Sequence, residues 1–134
     1  MGQDKQILTI KKDEDVVMAA HYSLRYAEEL GFSKSNSFFV STSVSELARN
    51  IYKYAGEGTV IIKAIKNNEG KTGIEVICED EGPGIENIEL AMKDGYSSTG
   101  SLGVGLSGVK RMMDEFEIDS EIGKGTRVIV RKWR

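Results

Sequence analysis

The chain has 134 residues but only one cysteine, one proline and one histidine. A lone thiol, Cys78, excludes an internal disulfide. Its place in the apolar run Ile74–Cys78 reads as a small buried hydrophobe rather than a reactive nucleophile. No stretch approaches the ~18 consecutive apolar residues of a membrane helix. The first residues lack the apolar segment of a signal peptide. Met1-Gly2 begins like an acylation site, but Gln6 stands where Ser or Thr is wanted. These absences predict a cytoplasmic protein with no membrane role. Positive charge is not in excess either. A net charge of −3 argues against a nucleic-acid partner, which attracts basic surfaces. Repeats, linkers and low-complexity tracts are also missing.

What remains is an ordinary globular composition, 40% apolar and 29% charged. The length suits one domain, residues 1–134, able to bury about two thirds of its unfolded surface. Gln6–Lys11 reads as a short strand. Asp13–Leu30 reads as a helix with Val16, Val17, Ala20, Leu24 and Ala27 at helical spacing, a stripe that serves either a core or a dimer contact. A second helix is predicted over Ser35–Ala55 on the stripe Val40, Val44, Leu47 and Ile51, ended by Gly56 and Gly58. Thr59–Lys66 and Gly73–Asp80 read as antiparallel strands joined by the polar loop Asn67–Thr72. An irregular stretch, Glu81–Gly103, holds at most a short helix near Asn87–Lys93. A third long helix is expected from Val104, carrying Leu106, Val109, Met113 and Phe116. Strands Glu117–Glu121 and Thr126–Lys132 close the chain around a turn at Gly123–Gly125. This order predicts an α+β fold: a two-layer sandwich of a mostly antiparallel sheet with helices on one face.

Three patterns carry chemistry. Glu46 and Asn50, four residues apart, share one face of the second helix. A carboxylate there can polarise an attacking hydroxyl. An amide oxygen is a hard, neutral ligand that suits Mg²⁺ beside phosphates. Taken alone, the pair is more often a solvated flank of an amphipathic helix. Next, Asp80-Glu81-Gly82-Pro83-Gly84 ends a strand. Asp80 can accept a hydrogen bond from the exocyclic amine of adenine, and glycines let backbone come near a base. A plain turn is an equally good reading of this stretch alone. Finally, Gly103-Val104-Gly105-Leu106-Ser107-Gly108 opens a helix, and free N–H groups at a helix start bind anions. Its spacing also fits the dinucleotide fingerprint, but Tyr96–Leu102 before it is not a hydrophobic strand. Gly70-Lys71-Thr72 ends like a P-loop, yet Ile65 occupies the first glycine position.

In this order, with Gly125-Thr126 before the last strand, the patterns resemble the N, G1, G2 and G3 boxes of the Bergerat (GHKL) ATPase superfamily. The resemblance covers nearly the whole chain. Within the superfamily it is nearest the small bacterial anti-sigma-factor serine kinases, and among those the stressosome switch kinases. Ser45–Tyr52, Glu79–Ile85 and Gly105–Phe116 carry the likeness. It implies an Mg²⁺·ATP-dependent protein serine/threonine kinase. Glu46 would be the general base and Asn50 the Mg²⁺ ligand. Asp80 would read adenine, Gly82 and Gly84 would shape the pocket floor, and residues 85–102 would form the ATP lid. Gly103, Val104, Gly105 and Leu106 would present the phosphate-binding helix start, and Thr126 would reach adenine through water. Lys110 and Arg111 match the family without a clear role. Some relatives carry a basic residue in the lid where this chain has Ser101; if that residue steadies the transferring group, this chain would use another cation or run slowly, at a cost in rate that leaves the mechanism in place.

The resemblance also implies partners: a STAS-domain protein as substrate and scaffold, and a PP2C-type phosphatase activated after release. The alternative is a non-catalytic, nucleotide-gated binding module that sequesters its partner. A detached histidine-kinase domain is disfavoured, because the only histidine, His21, lies inside the first helix and no helical hairpin precedes the ATP motifs.

Overall fold

The computed structural model describes residues 5–93 and 105–134. Its elements run β1 (Lys5–Ile10), α1 (Asp13–Glu29), α2 (Lys34–Asn50), a π-helical turn (Ile51–Ala55), β2 (Gly58–Lys66), β3 (Thr72–Asp80), α3 (Ile88–Ala91), α4 (Gly105–Met112), β4 (Glu115–Glu121) and β5 (Gly125–Trp133). The strands form one sheet in the order β1-β2-β3-β5-β4, and every neighbouring pair is antiparallel. This is the α+β sandwich that the sequence predicts. β3 is the central strand and β5 lies between it and β4, which places Thr126 opposite Asp80.

Alternation decides which side of each strand is buried. Val60 and Ile62 of β2, Ile74, Val76 and Cys78 of β3, and Val128 and Val130 of β5 all point under the helices. The expected α2 stripe is the one observed, with Val40, Val44, Leu47 and Ile51 all buried. Local chemistry sets the ends of elements. Asp15 in the first turn of α1 accepts from the Lys11 and Lys12 amides at 2.9 and 3.2 Å. Ser33 caps α2 by accepting from Asn36 N–H at 3.1 Å. Asn67 closes the β2–β3 loop by accepting from the amides of Glu69 and Lys71, both at 2.9 Å.

Two helix readings need correction. On α1 the buried residues are Val16, Ala19, Ser23 and Ala27, while Val17 is 66% exposed. α1 lies so close to α2 that Ser41 donates to the Ala20 carbonyl at 2.9 Å. The buried positions 16, 19, 23 and 27 recur at helical spacing, and Val17, about 100° round the helix from Val16, falls outside that face. The third helix is also shorter than expected. α4 ends at Met112, and Phe116 belongs to β4, where it packs against the core from the sheet. Lys132 Nζ donates to the Met112 carbonyl at 2.7 Å and so closes that helix end. The strand boundaries shift accordingly, to Glu115 for β4 and Gly125–Trp133 for β5.

Candidate functional site

One cavity of about 310 Å³ opens where the end of α2 and the start of α4 meet the same ends of β3 and β5. That volume is in the range of small-ligand sites. Glu46, Asn50, Asp80, Gly84, Gly105, Leu106 and Thr126 all line it. Residues far apart in the chain, singled out on separate motifs, therefore share one space. Gly103 and Val104, with residues 94–102 of the expected lid, lie outside the described residues. The described part of that lid, residues 85–93, includes α3, whose start is capped by Asn87 accepting from Leu90 N–H at 3.0 Å.

Gly82 does not line the cavity. It serves instead to let two backbones meet: a Cβ there would lie 2.6 Å from Ala55 Cβ in the π turn. Gly84 lines the wall and also needs its hydrogen. Its φ is +81°, and a Cβ would collide with the Glu121 carbonyl. Gly125 is tighter still, at φ +124° with the Asp80 carbonyl where a Cβ would stand. These glycines are demanded by backbone packing around the cavity, and ligand approach is not the only reason for them.

Asp80 is held by its own loop. One carboxylate oxygen accepts from Gly82 N–H at 2.9 Å, which leaves the other oxygen for a ligand donor. Glu46 is 5% exposed yet on the cavity wall. Placing a carboxylate there, one helical turn from an amide, suits proton transfer at a site screened from bulk water. The π turn begins directly after Asn50. Such turns often mark functional sites, and this one brings Ile51 and Tyr54 to the same wall.

Several site residues escaped the sequence reading. Tyr54 and Cys78 line the cavity without having been singled out, whereas Ile85 and Leu90, which line it too, come from the expected lid. Burial, reinforced by the charges of Asp80 and Glu79, pushes the Cys78 thiol far up, so it is an inert wall. Ser120 is the most connected of those missed. Its hydroxyl accepts from Ile85 N–H at 2.7 Å, lies 2.8 Å from the Thr126 hydroxyl and 3.2 Å from the Gly125 carbonyl. The signal was a serine at an inward position of β4, in phase with Phe116 and Ile118.

The donor set fits a nucleotide with a divalent cation. Among the described residues, no group of three His, Cys, Asp or Glu side chains could hold a metal alone. Mg²⁺ in phosphate sites takes one or two protein oxygens and draws the rest from phosphates and water. Asn50 is the protein oxygen available for that role.

Comparison with known proteins agrees with this geometry. The family model described as "Histidine kinase-, DNA gyrase B-, and HSP90-like ATPase" matches residues 36–133. The chain is 45% identical over 130 residues to the serine/threonine-protein kinase RsbT of Bacillus subtilis (strain 168), covering 97% of each. It is 34% identical to an anti-sigma F factor of Clostridium acetobutylicum over 128 residues, 92% of this chain and 88% of the relative. Among solved structures, the RsbU and RsbW domains of Rv1364c from Mycobacterium tuberculosis superpose with a TM-score of 0.59 at 18% identity, over 96% of this chain and 33% of that one. The mycobacterial sensor histidine kinase MprB gives 0.55 at 17% identity, over 97% of each chain.

Proposed function

We propose a function from one premise: the chain belongs to the histidine kinase-, DNA gyrase B- and HSP90-like ATPase family. Within that family it is a serine/threonine kinase. The observation that carries the finer reading is the convergence of Glu46, Asn50 and Asp80 on one cavity. Asp80, through its free oxygen, takes the adenine amine, and Thr126 supports the base from the adjoining strand. Gly105 and Leu106 at the α4 start, with Gly103 and Val104 preceding them in the sequence, receive phosphate on backbone N–H groups. Asn50 offers its amide oxygen to Mg²⁺. When bound, ATP supplies the phosphoryl group and Mg²⁺ neutralises phosphate charge. Glu46 takes the proton of the incoming serine or threonine hydroxyl, and its burial keeps water from competing. Phosphoryl transfer asks little more of a protein than this positioning and charge balance.

The substrate in this reading is a serine or threonine on a STAS-domain protein that also serves as scaffold in a bacterial stress-signalling switch. Phosphorylation releases the kinase, which then activates a PP2C-type phosphatase in the cytoplasm. No helix among the described residues is long and apolar enough to cross a membrane.

The test mixes the protein with radiolabelled ATP, Mg²⁺ and a STAS-domain protein. Label on a partner serine or threonine, lost in Glu46→Ala and Asn50→Ala, is the expected result. Unchanged label on a partner whose acceptor serine is alanine would remove the assigned acceptor. The anti-sigma F factor relative favours a second reading, a nucleotide-gated module that sequesters its partner. If Glu46→Ala leaves partner regulation intact, that reading replaces the first.

A further inference from the structure

Among the described residues the buried charged side chains are Glu46, Glu75 and Lys132. Glu46 faces the cavity. Glu75 stands 2.7 Å from Arg131 and 3.4 Å from Lys63. Lys132 is the cation of the set, and the mechanism above makes no use of it. An ammonium withdrawn from water is costly unless its neighbours replace the lost hydration. Register puts Lys132 directly opposite the buried Ile74, so it too points under the helices. Its Nζ donates at 2.7 Å to the carbonyl of Met112, the last residue of α4. It lies 3.4 Å from Asp114 Oδ1 and 5.2 Å from the centre of the Phe39 ring in α2. Asp114 is held by the same strand. Its N–H donates to the Arg131 carbonyl at 2.9 Å, and its Oδ2 accepts from Trp133 N–H at 2.7 Å. The end of β5 therefore grips the C-terminal end of α4 through Arg131, Lys132 and Trp133, and touches α2 as well.

We propose that Lys132, seconded by Asp114, is a positioning residue for the phosphate end of the nucleotide site. The inference rests on the reading of Gly105 and Leu106 as the phosphate-binding start of α4. That helix runs from Gly105 to Met112, about 12 Å at 1.5 Å per residue. So short a helix moves as one piece. Gly105 is the end that lines the cavity, and Met112 is the end that Lys132 holds. A tilt at Met112 displaces the backbone N–H groups at the other end. The same ammonium bears on Phe39, about two turns before Glu46 in α2. One cation thus fixes the spacing between the helix that offers Glu46 and Asn50 and the helix that offers N–H groups to phosphate. Electrostatics favour the arrangement, because the last carbonyls of a helix carry the negative end of its dipole. Lys132 meets that end of α4 and leaves the positive end to the ligand. It acts through α4 and touches no reacting atom. A residue that merely supported the fold would instead affect every ligand alike.

A ladder of ligands on the full chain separates the two roles: adenosine, ADP and ATP with Mg²⁺, followed by isothermal titration well below the melting transition. Lys132→Met keeps the length of the side chain and removes the ammonium. It should weaken ATP about tenfold and ADP less, with adenosine changed under twofold. Lys132→Arg retains a cationic donor for the Met112 carbonyl and should recover most of the ATP affinity. The Asp114 side chain is 41% exposed, so Asp114→Asn spares the core. Its amide oxygen can still accept from Trp133 N–H, while its NH₂ replaces the oxygen beside Lys132. That change should weaken ATP about threefold and again spare adenosine. If Lys132→Met does not fold, Asp114→Asn decides alone. Equal losses for adenosine and ATP would make the pair a support of the whole fold and overturn the proposal. Folded variants that bind ATP like the parent would overturn it too. A parent that binds ATP no more tightly than adenosine would remove the phosphate reading itself, and this inference with it.

Discussion

At one end of the cavity Asp80, Gly84 and Thr126 hang on the paired ends of β3 and β5 and the loops that leave them. At the other end Glu46, Asn50 and Gly105 sit on α2 and α4, helices packed onto that sheet. The strand-built end is crowded with backbone. Gly82, Gly84 and Gly125 each let one main chain press on another. The helix-built end is held by side-chain packing and a helix terminus. Shape at the first end is thus inseparable from folding, while the second end can change its chemistry and keep its shape. Substitutions should divide accordingly: at the strand end they should damage stability and affinity, at the helix end rate.

The largest effect is expected at Gly125. Its φ of +124° and the Asp80 carbonyl beside it leave no room for a side chain. Gly125→Val should lose ~3 kcal/mol or more by strain and overpacking. A thermal melt and nucleotide titration would show a lowered transition and no binding. A variant that melts like the parent would show that the β3–β5 end tolerates what the geometry forbids.

Glu46→Gln tests the other end. It keeps the side chain's size and polarity but removes the base, so kcat should fall on the order of 10²–10⁴-fold. The ATP dissociation constant and the melting temperature should barely move. A loss of affinity comparable to the loss of rate would make Glu46 part of the binding frame and blur the division between the ends.

Asp80→Asn comes next. The asparagine oxygen can still accept from Gly82 N–H, so the loop should hold. The second position would then present an NH₂ to the adenine amine, donor against donor. Affinity for ATP should fall about 10–100-fold, the range of a lost charged hydrogen bond that leaves a group unpaired. Isothermal titration gives the answer, and a change under twofold would mean that adenine is read elsewhere.

The same division explains what could be read in advance. The helix end was legible because its residues lie on one element at helical spacing, and the α2 stripe with Glu46 and Asn50 needed no partner to be seen. The strand end was legible at Asp80 and the glycines, where turn chemistry marks the chain. The reason for the glycines was not, because the backbone that crowds Gly125 comes from β3, forty-odd residues earlier. Ser120 joins residues 35 positions apart in the chain, a link that only register reveals. The α1 face was misjudged because hydrophobic spacing counts the exposed Val17 and passes over the buried Ser23.

Ser120 gives the smallest expected effect and the sharpest test of how the strand end is held. Its hydroxyl stands between Ile85 N–H, the Gly125 carbonyl and the Thr126 hydroxyl. Ser120→Ala removes the acceptor for Ile85 and one neighbour of Thr126, but no group that touches the reacting atoms in the proposed mechanism. One such bond contributes ~0.5–1.5 kcal/mol, so ATP affinity should drop about threefold with kcat unchanged. Thr126→Val should cost a similar amount. If Ser120 acts by orienting the Thr126 hydroxyl, the double variant should lose less affinity than the two single losses added, because the second change removes what the first has already disabled. Losses that add within ~0.3 kcal/mol would mean that Ser120 works through Ile85 alone, at the root of residues 85–93, and that Thr126 contacts its ligand without help.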